Sequence, residues 1–176
     1  MKFVATELAG AYLIELERLE DERGFFARTF CRDEFAAHGL RSSFVQCNVS
    51  FNARKSTVRG MHFQEKPHEE AKLVRCTRGA IYDVIVDIRK GSPTCKLWTA
   101  VELTADNGRM LYVPEGLAHG FQTLENNSEV LYQMSEMHHP ESARGLRWND
   151  PAFAIRWPLA SPILSERDAR FADFKA

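Results

Sequence analysis

The sequence predicts an all-β protein, an antiparallel sandwich or jelly roll, on three grounds. Roughly ten short runs alternate apolar and polar residues with the period of two that a pleated strand imposes. Turn signals such as ADNG, PEG and ENNS separate the runs at close spacing. Helical signal is confined to two short stretches.

The first five strands are predicted at Ala11–Leu16, Gly24–Phe30, Phe44–Val49, Val58–Phe63 and Lys72–Thr77. The clearest follows at Ala80–Arg89. There Ala80, Tyr82, Val84, Val86 and Ile88 form a dry face, and Ile81, Asp83, Ile85, Asp87 and Arg89 a mixed one. Lys96–Leu103 repeats the pattern with Leu97, Val101 and Leu103 on one side, and Arg109–Val113, Ala118–Leu124 and Glu129–Met134 complete the series. A helix is predicted at Arg32–His38, ended by Gly39. A second helical turn opens at Ser165, where SERD places a capping hydroxyl before acidic residues.

The chain of 176 residues carries no repeat, low-complexity segment or linker, so residues 1–176 read as one domain able to bury its own core. Hydrophobic residues make up 44% and charged residues 27%, which excludes a disordered chain. The formal net charge is -1 with no block of like charges. Nucleic-acid and membrane-surface partners need a concentrated basic face, so neither is expected. A small anion needs only two or three cations, and that remains open. Cys31, Cys47, Cys76 and Cys95 form no CxxC and read as reduced thiols. The N-terminus reaches acidic residues early and no stretch is long and apolar enough to span a bilayer, so the protein reads as cytoplasmic.

An unusual number of polar residues occupy strand positions: Gln46, Asn48, Arg59, His62, Gln64, Lys72, Asp83, His119 and Tyr132. Buried polar groups are costly unless satisfied or used. Taken singly, each has a structural explanation: a strand histidine is usually a hydrogen-bonded core residue, and a strand lysine usually reaches for solvent. Taken together they supply a base, a cation, a phenol and amide donors, which predicts a polar binding cavity. His62 and Gln64 share a face of Val58–Gln64, and Gly60 there leaves room for a ligand or a bulge. No metal is expected. His62 sits between Met61 and Phe63 with no HxH pair, and His138 and His139 point apart if extended.

In order along the chain stand DERGFFARTF, VQCNVS, VRGMHFQ, AKLVRC, YDVIVDIRKGSPT, VPEGLAHGF, VLYQMSE, RWNDP and LSERD. In these motifs and their spacing the chain resembles the dTDP-4-dehydrorhamnose 3,5-epimerase family from about residue 2 to residue 171. The resemblance implies a cupin-type jelly-roll subunit, usually a homodimer. It implies no metal or organic cofactor, and a nucleotide-sugar substrate held inside the barrel. The implied activity is isomerisation: a 4-keto sugar loses and regains protons at C3 and C5 through an enolate. His62 matches the family's base, Asp168 its carboxylate partner, Lys72 the enolate-stabilising lysine and Tyr132 the acid. Arg23, Gln46, Asn48, Arg59 and His119 match substrate-contact positions, and Arg167 keeps the basic charge before Asp168. Asp83 reads either as a partner of Lys72 or His119 or as a structural cross-strand residue.

The departures fall at the nucleotide end. Arg28 stands where the family has glutamate, His138 where it has the base-stacking tyrosine, and Ala143 where it has an acidic residue, with Glu141 close by. Two further readings therefore stay open: a single-centre epimerase or ketoisomerase on a CDP- or GDP-linked sugar, and a non-catalytic sugar-nucleotide binder.

Overall fold

The computed structural model describes residues 1–175 and is built from two packed antiparallel sheets. The strands are β1 (Lys2–Ala5), β2 (Tyr12–Glu15), β3 (Leu19–Asp21), β4 (Gly24–Phe26), β5 (Gln46–Asn52), β6 (Val58–Gln64), β7 (Lys72–Arg78), β8 (Ala80–Asp87), β9 (Trp98–Thr104), β10 (Met110–Val113), β11 (Leu117–Thr123), β12 (Ser128–Met134) and β13 (Ala143–Gly145). The six-stranded sheet has the order β1-β2-β10-β7-β12-β5, and the five-stranded sheet β13-β6-β11-β8-β9. β3 and β4 form a separate hairpin. This is the cupin-like jelly roll that the sequence predicts. Each long strand lies where the alternation put it, to within a few residues. β1, β3 and β13 were missed: at three or four residues each, they are too short to show a period.

Helix α1 (Arg32–Ala37) stops at Gly39, which takes φ +70, a conformation open to glycine without penalty. Helix α2 (Glu166–Ala169) is capped as expected, with the Ser165 hydroxyl accepting the Asp168 N–H. That cap fixes the turn from which the Asp168 side chain projects.

Period two divides each strand between interior and exterior. Between the sheets, Val74, Cys76, Ile81, Ile85, Leu103, Leu111, Val113, Leu117, Phe121 and Val130 form the inner core. The outer face of the six-stranded sheet buries Ile14, Leu73, Met110 and Tyr112 under Phe35 of α1. The dry face of β8 is the outer one. Val84 and Val86 pack there with Met61, Ala118, Leu146, Phe153 and Ile155, beneath the C-terminal segment. The mixed face of β8 therefore looks inward, carrying Asp83 into the barrel.

Two glycines shape the strand pair next to that carboxylate. A Cβ on Gly60 would sit 2.5 Å from Gly120 Cα, so β6 and β11 approach too closely there for any side chain. The register runs His119↔His62 and then Phe121↔Arg59, so three steps on β6 match two on β11. The space at Gly60 thus serves a β-bulge and not a ligand. Its effect is local and large: Arg59 and His62, three apart and otherwise on opposite faces, both turn into the barrel.

Candidate active site

One end of the barrel interior is polar. An inner chamber of about 150 Å³ is lined by Ser50, Arg59, His62, Lys72, His119, Phe121 and Tyr132. It opens into an outer chamber of about 290 Å³ that shares His62, Lys72 and Tyr132 and adds Asn48, Gln64, Glu70, His138, Arg144 and Arg167 among others. A larger, more open cleft of about 650 Å³ runs past His38, Arg41, Glu69 and Glu115. It lies outside the barrel and lacks the base, lysine and phenol that converge in the two chambers.

His62 comes from β6 of the five-stranded sheet and Tyr132 from β12 of the six-stranded sheet. They face the chamber from its two walls. Lys72 opens β7, between β10 and β12. The imidazole Nε2 of His62 donates to Asp168 Oδ1 at 2.8 Å. An ionised carboxylate only accepts, so Nε2 carries the proton and Nδ1 is the nitrogen left free. Burial pushes the Asp168 carboxyl up, but the His62 hydrogen bond and charge, the Gly60 N–H and Ser165 together hold it below the usual carboxylate range. Asp168 therefore stays ionised at neutral pH.

A second histidine–aspartate pair stands on the same sheet. His119 Nε2 donates to Asp83 Oδ1 at 2.8 Å, and the other carboxylate oxygen, Oδ2, is buried without a partner among the described residues. Asp83 is thus the partner of His119. The partner of Lys72 is Glu70, whose Oε1 lies 3.0 Å from Nζ. Lys72 Nζ also donates to the His62 carbonyl at 3.5 Å. Sequence reasoning missed Glu70, although its spacing held a signal: residues i and i+2 of an extended segment point the same way, and Glu70 precedes Lys72 by two.

Tyr132 is partly buried. Burial pushes its phenol up, the Arg59 charge opposes this, and the Glu70 charge adds to it. Arg59 donates from Nε to Asn52 Oδ1 at 2.7 Å and has no carboxylate partner among the described residues. Its charge is therefore available to an anion, whereas the Lys72 ammonium faces Glu70.

The remaining predicted residues divide. Asn48, His138 and Arg167 line the outer chamber. The Arg167 guanidinium sits over the Phe171 ring at 5.7 Å. Gln46 lines neither chamber; its Oε1 accepts the His138 N–H at 2.6 Å and so ties β5 to the segment carrying His138. Arg23 and Arg28 also stand apart within this chain. Arg23 lies in the β3–β4 turn, bonded to Asp21, and Arg28 lies beyond the hairpin, bonded to Glu34. Ala143 lines the outer chamber, whereas Glu141 is exposed and accepts from His139.

The nearest approach to a metal-ligand group is elsewhere, at His68, His139 and Glu141. The two rings stack at 3.5 Å with 8° between their planes. Parallel rings aim their in-plane lone pairs side by side rather than at one point, so this group does not form a preorganised site. His62 and His119 each commit Nε2 to a carboxylate, which is an acid–base arrangement rather than a chelate.

Comparison with known proteins finds relatives along nearly the whole chain. The family model for dTDP-4-dehydrorhamnose 3,5-epimerase matches residues 5–176. The enzyme of that name from Methanothermobacter thermautotrophicus is 46% identical over 171 residues, spanning 95% of this chain and 91% of the relative. The one from Sinorhizobium fredii is 43% identical over 170 residues, spanning 96% and 87%. A crystal structure of the Bacillus anthracis enzyme with TDP and PPi bound superposes with a TM-score of 0.95 at 44% identity, covering 98% of this chain and 99% of that one.

Proposed function

The chain belongs to the dTDP-4-dehydrorhamnose 3,5-epimerase family, and we propose that it inverts C3 and C5 of a dTDP-4-keto-6-deoxyhexose in the chamber between its sheets. The observation that carries this reading is the placement of His62 and Tyr132 on opposite walls of one chamber, with Lys72 beside Tyr132 on the six-stranded sheet.

Protons on carbons next to a ketone are acidic because their removal gives an enolate. Inversion needs a base on one face of the sugar, an acid on the other, and a cation where the oxygen gains charge. His62 Nδ1 takes the proton, and Asp168 stabilises the imidazolium that forms. The C–H electron pair moves into the ring, and the C4 oxygen, now negative, accepts from Lys72 Nζ. Tyr132 returns a proton to the opposite face and is left as phenolate. Exchange with solvent then resets both groups for the second centre. A donor preorganised at the enolate oxygen is worth about 3–4 kcal/mol.

Binding follows from the distribution of charge. Arg59, unpaired with any carboxylate among the described residues, holds the diphosphate through its guanidinium fork. Arg167 and His138 at the outer chamber receive the nucleotide, with Asn48 on the β5 wall. His119, fixed by Asp83 through its Nε2–H, presents Nδ1 as an acceptor for a sugar hydroxyl. One cupin-like domain carries the whole reaction, with no cofactor called for by these steps.

A second copy of the chain completes the picture. Leu19, Phe25 and Phe26 on the hairpin, and Val49 and Phe51 on edge strand β5, are large apolar side chains left exposed. A homodimer would cover them. Arg23 and Arg28 contact substrate only if the hairpin of one protomer reaches the mouth of the other's chamber. No helix among the described residues is long and apolar enough to cross a membrane, and a cytoplasmic enzyme is the reading adopted.

The direct test is product analysis. Incubation with dTDP-4-keto-6-deoxyglucose, followed by NMR of the sugar ring, is expected to show inverted configuration at both C3 and C5. Inversion at one centre would make this a single-centre epimerase. Unchanged substrate, with CDP- and GDP-linked analogues turned over instead, would move the carrier assignment to one of those nucleotides.

A further inference from the structure

Resting on the functional reading above, we propose that Glu70 is a positioning residue for the reaction, holding the Lys72 ammonium against the chamber wall and offsetting its charge there. Three observations place it in that role. The Glu70 and Lys72 side chains are only 9% and 10% exposed, and their charged atoms lie 3.0 Å apart. The second carboxylate oxygen of Glu70 is within 3.4 Å of Gln64 Nε2, so the group is gripped on both sides. Glu70 also lines the outer chamber beside Lys72, Tyr132 and His62.

A buried ammonium on a flexible four-carbon stem has many rotamers, and an enolate oxygen is served by one of them. Glu70 and the His62 carbonyl select it from two directions. The charge matters as much as the geometry. Tyr132 faces Arg59 and His62 from β6, Lys72 from β7 and His119 from β11, with His138, Arg144 and Arg167 farther out. The arginine and lysine charges alone would favour the phenolate, and a phenolate has no proton to give. Glu70 is the carboxylate that faces Tyr132 against that field, and its charge favours the protonated phenol.

Two measurements on Glu70→Gln and Glu70→Ala test this. The first is a titration of ¹³Cζ-labelled tyrosine by NMR without substrate, with Tyr132→Phe assigning the resonance among the four tyrosines. Tyr132 is expected to titrate at lower pH in Glu70→Gln than in the wild type. The second is the pH dependence of kcat and KM. The basic limb is expected to move down with the titration. Glu70→Ala, which also frees the ammonium, is expected to lose about tenfold to a hundredfold in kcat with KM within about threefold.

A Tyr132 titration unmoved in Glu70→Gln, or a kcat for folded Glu70→Ala equal to wild type, would overturn the proposal. Glu70→Gln preserves shape and one acceptor, so it decides the matter even where the alanine variant does not fold. A wild-type protein that turned over no sugar nucleotide would contradict the functional reading, while the NMR titration would still judge Glu70.

Discussion

Two histidine–aspartate pairs sit side by side on the five-stranded sheet, His62 directly opposite His119 in the β6–β11 register, and they are not equivalent. Both have Nε2 to Oδ1 distances of 2.8 Å. The His62 side chain is 40% exposed and its carboxylate 6%, whereas His119 is 9% exposed and Asp83 0%. The carboxylates also arrive differently. Asp83 comes from β8, bonded to β11 along its length, while Asp168 comes from a four-residue helix 106 positions beyond His62. The contrast teaches what makes a base: not the dyad itself but a dyad with one ring nitrogen open to the chamber. A sealed dyad holds its imidazole still and serves as an acceptor and as part of the core.

The predictions that break or sharpen this contrast begin with the imidazoles. His62→Ala is expected to lower kcat by about 10⁴-fold, the upper range for removal of a general base, with the thermal midpoint nearly unchanged. His119→Ala is expected to act mainly on KM. Steady-state kinetics on both variants decides between them, and equal kcat losses would erase the distinction.

Next come the carboxylates. Asp168→Asn keeps the shape but offers Nε2 no ionised acceptor, so kcat is expected to fall by about 10²–10³-fold with intact folding. Asp83→Ala leaves His119 buried without its partner. Its main effect is expected on stability, about 3 kcal/mol, read as a thermal midpoint lower by roughly 10 °C. The reverse pattern, with Asp168 structural and Asp83 catalytic, would invert the assignment.

The smallest effect is a pH dependence. The Asp168 carboxyl is held below its ordinary value in the folded chain, so the stability it contributes is present above the unfolded value of about 4 and is lost as pH falls through the folded one. Thermal melts of wild type and Asp168→Asn are therefore expected to differ near neutrality and to converge below about pH 4. A gap constant with pH would mean that the fold leaves the Asp168 carboxyl at its unfolded value.

Strand content was legible because alternation over seven or eight residues is a strong signal, as in β8 and β12. What alternation does not encode is which face turns inward. The mixed face of β8 is interior because the dry face is covered by a C-terminal segment some sixty residues later in the chain, and no local pattern announces that. The site was legible in part. His62, Lys72, Tyr132, His119 and Arg59 do converge on one chamber. Yet period two alone sets Arg59 opposite His62, and only the bulge at Gly60 reconciles them. That Asp83 serves His119 depends on a distance across strands, whereas Glu70, two residues before Lys72 on an extended segment, was legible and was passed over. Arg23 and Arg28 lie outside the chamber of a single chain, bonded to Asp21 and Glu34.

The central claim, that His62 and Tyr132 exchange protons at carbons flanking a ketone, is tested most directly in D2O. The protein is incubated with dTDP-4-keto-6-deoxyglucose and the mass of the recovered sugar nucleotide is read over time. Two deuteriums are expected per sugar for the wild type and none for His62→Ala. Two deuteriums incorporated equally fast by His62→Ala would contradict the account.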